Sequence, residues 1–205
     1  MSLSLFIDIE TLSLTPRAAI ISIGLVPFDP HIQNSFEQLK NGGQSFNINL
    51  RKQIYTLNRQ VSESTLEWHQ RNTGFLPNEE SFDKGIPPKN VASYIRDFSV
   101  NNHVDIGSCV VWFRGPQFDE SILRDLFATT EQKVPWNYRE VMDLRSWARA
   151  KGYGHKDLLQ FDRPAGMVPH SAIDDAAADA YLVQRIQVIS AFELSNCYKN
   201  LYFPY

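Results

Sequence analysis

The chain has 205 residues, 43% of them hydrophobic and 21% charged, and a net charge of −3. That length supplies one well-buried core and is short for two, so a single domain over residues 1–205 is expected, with a composition far from that of a disordered chain. The acidic balance weighs against coating long nucleic acid through many Lys and Arg contacts, but leaves room for gripping a strand end with help from bound divalent cations. No stretch approaches the ~18 apolar residues that cross a bilayer, so no membrane partner is expected. The opening MSLSLFIDIE lacks a basic region and carries Asp8 and Glu10 within its apolar run, which argues against a secretory signal. Cys109 and Cys197 provide neither a disulfide framework nor a CxxC metal spacing, which fits a reducing, cytosolic setting.

In chain order, Leu3 to Glu10 alternates and is rich in Leu, Phe and Ile, Ala19 to Phe28 is β-branched before a stop at Pro27 and Pro30, and Gln44 to Leu50 is a third short strand candidate. The three suit an antiparallel meander. A helix is expected from about Glu63 to Arg71, with Ser64 and Glu67 at capping-box spacing, followed by an acidic, solvated loop from Asn78 to Asp83. Pro87 and Pro88 open a helix running toward Asp97. Cys109 to Phe113 is almost entirely apolar, as in a strand buried on both faces, and a helix from Gln117 to about Phe127 follows it. A strand or strand-to-helix junction falls near Val141, and Ala172 to about Phe192 is the clearest helix. Strands first and strand–helix alternation later predict an α/β fold, a mixed sheet with helices on its faces.

Three of these segments carry acids that sit awkwardly on a plain structural reading. Residues two apart on a strand share a face, so Asp8 and Glu10 converge on the side of Phe6, with Leu5, Ile7 and Ile9 opposite. At 100° per residue, Asp119 shares the face of Ile122, Leu123 and Leu126, whereas Glu120 reaches Arg124 at i,i+4 as an ordinary ion pair. In PHSAIDDAAADAYLVQRI, Ser171 and Asp174 match a capping pattern, while Asp175 aligns with Leu182, Ile186 and Ile189 behind His170. Asp179 lies near the same face and competes with it. A carboxylate facing the interior is costly unless it is paired or holds a metal. Four acids aimed at one place suit hard cations such as Mg²⁺ or Mn²⁺, and a pair of such ions can stabilise both oxygens of a phosphoryl displacement.

The order D-x-E, an Asp opening a helix after a buried strand, and H-x4-D opening the last long helix resembles the DEDDh 3′-to-5′ exonucleases of the DnaQ-like, ribonuclease H-like superfamily. STLEWHQ (64–70) and WFRGPQFDESIL (112–123) are similar to segments of the phage A-type exonucleases and of a bacterial exoribonuclease branch. The resemblance covers residue 5 to about 190 and implies a five-stranded sheet whose first three strands are antiparallel. It further implies that Asp8, Glu10, Asp119 and Asp175 hold two divalent cations, Mg²⁺ or Mn²⁺, and that His170 is the general base that takes a proton from the attacking water. Histidine suits that task because its ordinary pKa lies near 6.5. The implied product is a nucleoside 5′-monophosphate, and the implied partner is the 3′ end of single-stranded DNA or RNA. Members of the family often form homodimers, although no feature of this sequence marks an interface.

Thr11, Leu12 and Leu14 follow the D-x-E strand, where the family contacts the terminal nucleotide; a simple turn is the competing reading. Trp68 is either a stacking platform for a base or a core residue, and Arg114 either a phosphate contact or a surface charge. His31, His69, His103 and His155 read as surface or loop histidines. Two rival functions stay open: the same fold as a catalytically silent module that binds nucleic acid or protein, and a glycoside hydrolase, which needs only a pair of carboxyls.

Overall fold

The computed structural model describes residues 3–160 and 164–202, with the side chains of 155, 159, 160 and 190–202 left out. Its elements in chain order are β1 (Ser4–Thr11), β2 (Ile20–Phe28), α1 (Phe36–Gly42), β3 (Gln44–Asn47), a π-helical turn (Lys52–Thr56), α2 (Glu63–Thr73), α3 (Glu79–Asp83), α4 (Val91–Asn101), β4 (Val111–Phe113), α5 (Asp119–Thr129), β5 (Val141–Asp143), α6 (Leu144–Ala150), α7 (His155–Gln160) and α8 (Ala172–Tyr202). The five strands lie in the order β3-β2-β1-β4-β5. β1, β2 and β3 form the antiparallel meander, and β4 and β5 run parallel to β1.

Strand alternation divides the core between the two faces of this sheet. Leu5, Ile7 and Ile9 pack with Ile23, Leu25 and Phe113 beneath α4 and α5, whose contributions include Ile95, Ile122 and Leu126. Phe6, Val26, Phe28 and Trp112 pack on the other face against Phe36 and Leu39 of α1, Leu144 and Ala148 of α6, and Ala176, Ala180 and Val183 of α8. Every one of these side chains is less than a tenth exposed. Fully burying a large apolar side chain is worth about 1.5–3 kcal/mol, so both faces stabilise the sheet.

The structure departs from the sequence expectations at several points. Pro27 does not stop β2: it pairs with Leu5, whose N–H bonds Val110 O on the opposite side, so the proline nitrogen faces the β3 side. The pairing with β3 ends at Leu25, and no ladder donor is lost. The third strand is shorter than expected, because at Asn49 to Leu57 the chain winds into the π-helical turn, where Leu57 N–H reaches Lys52 O. Gln53 in that turn is fully buried and bonds both the N–H and the C=O of Ile20. The expected Ser64–Glu67 capping box is absent, since α2 begins at Glu63 with Ser62 at the N-cap, two residues before Ser64. Asn78 to Asp83 is the helix α3 rather than a loop, with a capping box between Asn78 and Ser81. α1 was not foreseen; its start is fixed by a second capping box, Ser35 with Gln38.

Candidate active site

Because β1, β4 and β5 are parallel, their carboxyl ends meet at one edge of the sheet, the place where α/β folds bind ligands. Asp8 and Glu10 stand near the end of β1, and a register shift between Glu10 and Thr11 bulges the strand there before the pairing with β2 resumes at Thr11 and Ile20. Asp119 is the first residue of α5 and is 6% exposed. α8 brings Asp175 to the same edge. Gly24, paired with Asp8 across the sheet, makes that approach possible: a Cβ on Gly24 would lie 2.1 Å from Ala172 O and 2.7 Å from Ile173 N.

Ligand atoms of Glu10, His170 and Asp175 all lie within 4.8 Å of one another. His170 has a left-handed backbone with φ 62°, uncommon for a residue with a side chain, and its N–H donates to Asp175 Oδ2 at 2.8 Å. Its ring meets Trp68 edge to face, with centroids 4.6 Å apart. Burial pushes the Asp8 carboxyl well above the usual range, and the charges of Asp119, Asp175, Glu10 and Asp179 add to the rise. Glu10 is pushed up to about 7 by burial and by Asp175 and Asp119. Asp119 is pushed up to about 7 by burial and Asp179, against the opposing pull of Arg145. Like charges in a poorly solvated cluster resist ionising together, which a divalent cation between them would reverse. The donor set, all carboxylate oxygen with one imidazole alongside, fits hard divalent cations.

The two neighbouring acids of α8 have different tasks. Asp174 accepts from Lys40 Nζ at 2.7 Å, from Val168 N–H and from the Ser171 hydroxyl. Burial alone would raise its pKa, but these partners hold it below the usual carboxylate range. Asp179 is 2% exposed and pairs with Arg114 Nη1 at 2.7 Å through Oδ1, while its buried Oδ2 has no hydrogen-bond partner among the described residues. Burial pushes Asp179 up to about 7 in spite of Arg114.

A cavity of about 340 Å³ opens beside Glu10, lined by Thr11, Leu14, Ser64, Thr65, Trp68, His69 and Phe118. Leu14 is 77% exposed at its rim. Thr11 is buried, with its hydroxyl bonded to Ser13 O. Leu12 leaves the candidate set: its side chain is fully buried beside Ala19 and Leu50, and its N–H and C=O bond Ala19 and Ser62. His69 is not a surface histidine, being 4% exposed with Nε2 2.8 Å from Thr11 O. A carbonyl only accepts, so Nε2 carries the proton and ties α2 to the end of β1. His31 and His103 are exposed as expected, and the His155 side chain lies outside the described residues. Arg114 is neither a lone surface charge nor free for phosphate at Nη1. The signal for His69 was available in its i,i+3 spacing from Leu66, but nothing local in the sequence joins Arg114 to Asp179.

Sheet order, helices on both faces and acids at the shared strand edge define a ribonuclease H-like exonuclease fold. Solved structures of E. coli exonuclease I share it: one, in complex with a dA16 oligonucleotide, superposes with a TM-score of 0.66 at 14% identity over 98% of this chain. Another, described as suggesting how processivity is achieved, gives 0.64 at 17% identity over 96% of this chain. This chain spans only 44% of the exonuclease I chain in each. The chain belongs to the family of the Rv2179c-like 3′-5′ exoribonuclease domain, whose model matches residues 3–187. A further relative is an exodeoxyribonuclease of Enterobacteria phage T4, 27% identical over 201 residues that cover 87% of this chain and 86% of the relative. Exonucleases of this DEDD class are metal-dependent in general.

Proposed function

We propose that the protein hydrolyses single-stranded nucleic acid from its 3′ end, releasing nucleoside 5′-monophosphates. The observation that carries this reading is the meeting of Asp8, Glu10, Asp119, Asp175 and His170 at one strand edge, where carboxyls are pushed up by burial and by one another. Asp8, Glu10, Asp119 and Asp175 would hold two divalent cations, Mg²⁺ or Mn²⁺, which supply charge stabilisation at the scissile phosphate. The imidazole of His170 takes the proton of the attacking water as its oxygen bonds phosphorus; the bond from phosphorus to the 3′-oxygen of the preceding nucleotide breaks, and that oxygen takes a proton from solvent. Trp68 and Leu14 bracket the terminal base in the adjoining cavity, where an aromatic face tolerates any base. Thr11 fixes the cavity wall, and Arg114 holds Asp179 beside the acids.

Both sugars remain substrates in this reading, because the matched family carries an exoribonuclease description and the phage relative an exodeoxyribonuclease one. Digestion of a single-stranded oligonucleotide in ¹⁸O-water with Mn²⁺ tests the chemistry. One ¹⁸O in the phosphate of released 5′-monophosphates is expected; nucleoside 3′-monophosphates, or binding without any cleavage, would overturn it.

A further inference from the structure

Residues 144–156 contain Arg145, Arg149, Lys151 and Lys156 and no Asp or Glu, in a chain whose net charge is −3. Arg145 and Arg149 are exposed and one turn apart on α6, so they rise about 6 Å along one helix face. Among the described residues, neither guanidinium has a hydrogen-bond or ion-pair partner, and none of the ion pairs involves α6. Both line a depression of about 520 Å³ with Ser146, Tyr153 and Leu158.

Arg145 links this depression to the acidic site. α6 starts directly after β5, at the same strand edge as Glu10 and Arg114. Arg145 reaches back across Gly115, whose φ is +123°: a Cβ there would lie 3.1 Å from Arg145 Nη1. Its charge is felt by both Asp119 and Asp179. An arginine this close to a carboxylate cluster, with no partner among the described residues, is a donor placed for an incoming anion, and a guanidinium fork matches phosphate oxygens.

We propose that Arg145 and Arg149 bind consecutive phosphates of the substrate strand on the 5′ side of the scissile bond, so that the strand leaves the active site along α6. This rests on the nucleic-acid reading above but not on its chemistry. The track also answers the charge problem: a net-acidic protein needs local cations wherever the polyanion runs beyond the bound metals.

The test is fluorescence anisotropy with a labelled dT12 strand and Mn²⁺ in the His170→Ala background, comparing Arg145→Ala/Arg149→Ala with Arg145→Lys/Arg149→Lys across a salt series. The alanine pair is expected to weaken dT12 at least tenfold and to flatten the log Kd against log salt slope by about 0.7 per lost phosphate contact, with the lysine pair close to the parent. Competition by thymidine 5′-monophosphate, which has no upstream phosphate, is expected to fall much less than dT12 affinity. An unchanged slope with dT12 affinity within twofold would overturn the proposal, as would equal weakening of dT12 and the mononucleotide. A parent chain that cuts nothing but binds dT12 through these arginines removes the proposed catalysis and keeps the track; a chain that cuts while its slope ignores them does the reverse.

Discussion

Replacing Asp119 by asparagine should make the metal-free protein more stable at pH 8, although it removes a side chain from the proposed metal site. Asp119 is 6% exposed and its pKa is pushed from 3.8 up to about 7. At 1.36 kcal/mol per unit, that rise corresponds to a penalty of about 4 kcal/mol for holding the carboxylate ionised in the folded state. An amide keeps part of the burial penalty and none of the repulsion by Asp179, so a gain of about 2 kcal/mol is expected. The sign follows from proton binding: the folded pKa exceeds the unfolded one, the folded state holds more protons between about pH 4 and 7, and wild-type stability falls as pH rises through that window. Asp119→Asn should therefore lose its advantage by pH 4 and keep it in full above pH 7. Urea unfolding in EDTA reads this as a midpoint raised by about 1 M at pH 8, given slopes of about 1–3 kcal/mol per molar. With saturating Mn²⁺ the order should invert, because the wild type gains binding energy that the variant lacks. A variant less stable than wild type at pH 8 in EDTA, or a gain equal at pH 4 and pH 8, would refute this electrostatic account.

Gly24→Ala drives a methyl group into the backbone of Ala172 and Ile173, which cannot rotate away, so α8 must shift. A loss of about 1–3 kcal/mol in thermal or urea unfolding is expected, with kcat down about 100-fold from the displaced Asp175 and His170. Trp68→Ala should raise KM for oligonucleotides about tenfold while Trp68→Phe retains most of the affinity, read from steady-state rates on dT12. His69→Leu leaves the Thr11 carbonyl without its donor and should destabilise the protein by about 1–3 kcal/mol in urea unfolding; an unchanged midpoint would show that this tie does not matter.

Periodicity alone separated Phe6, Asp8 and Glu10 from Leu5, Ile7 and Ile9, and the two cores on opposite faces of the sheet follow that division. The same reasoning put Asp119 with Ile122 and Leu123 and told Asp174 apart from Asp175, since each rests on one element's internal geometry. What stayed hidden depends on pairs distant in sequence. Gly24 looks like any strand glycine until α8 lies over it, and Arg114 finds Asp179 only through a contact spanning 65 positions. Leu12 misled for the opposite reason: it neighbours the D-x-E strand in sequence, yet the turn after the register shift sends it into the core while Leu14 stays exposed. At Asn78 to Asp83 the acidic composition points to a solvated loop, whereas the Asn78–Ser81 capping box in the same residues starts a helix.

The most direct test of the central claim is product release from matched 3′-labelled and 5′-labelled single-stranded DNA and RNA with Mn²⁺, with EDTA, and with Asp8→Ala and His170→Ala. Immediate release of the 3′ label and stepwise shortening of the 5′-labelled strand, abolished by EDTA and lowered at least 100-fold in both variants, is the predicted result. Cleavage that survives EDTA, starts from the 5′ end or persists in both variants would contradict it.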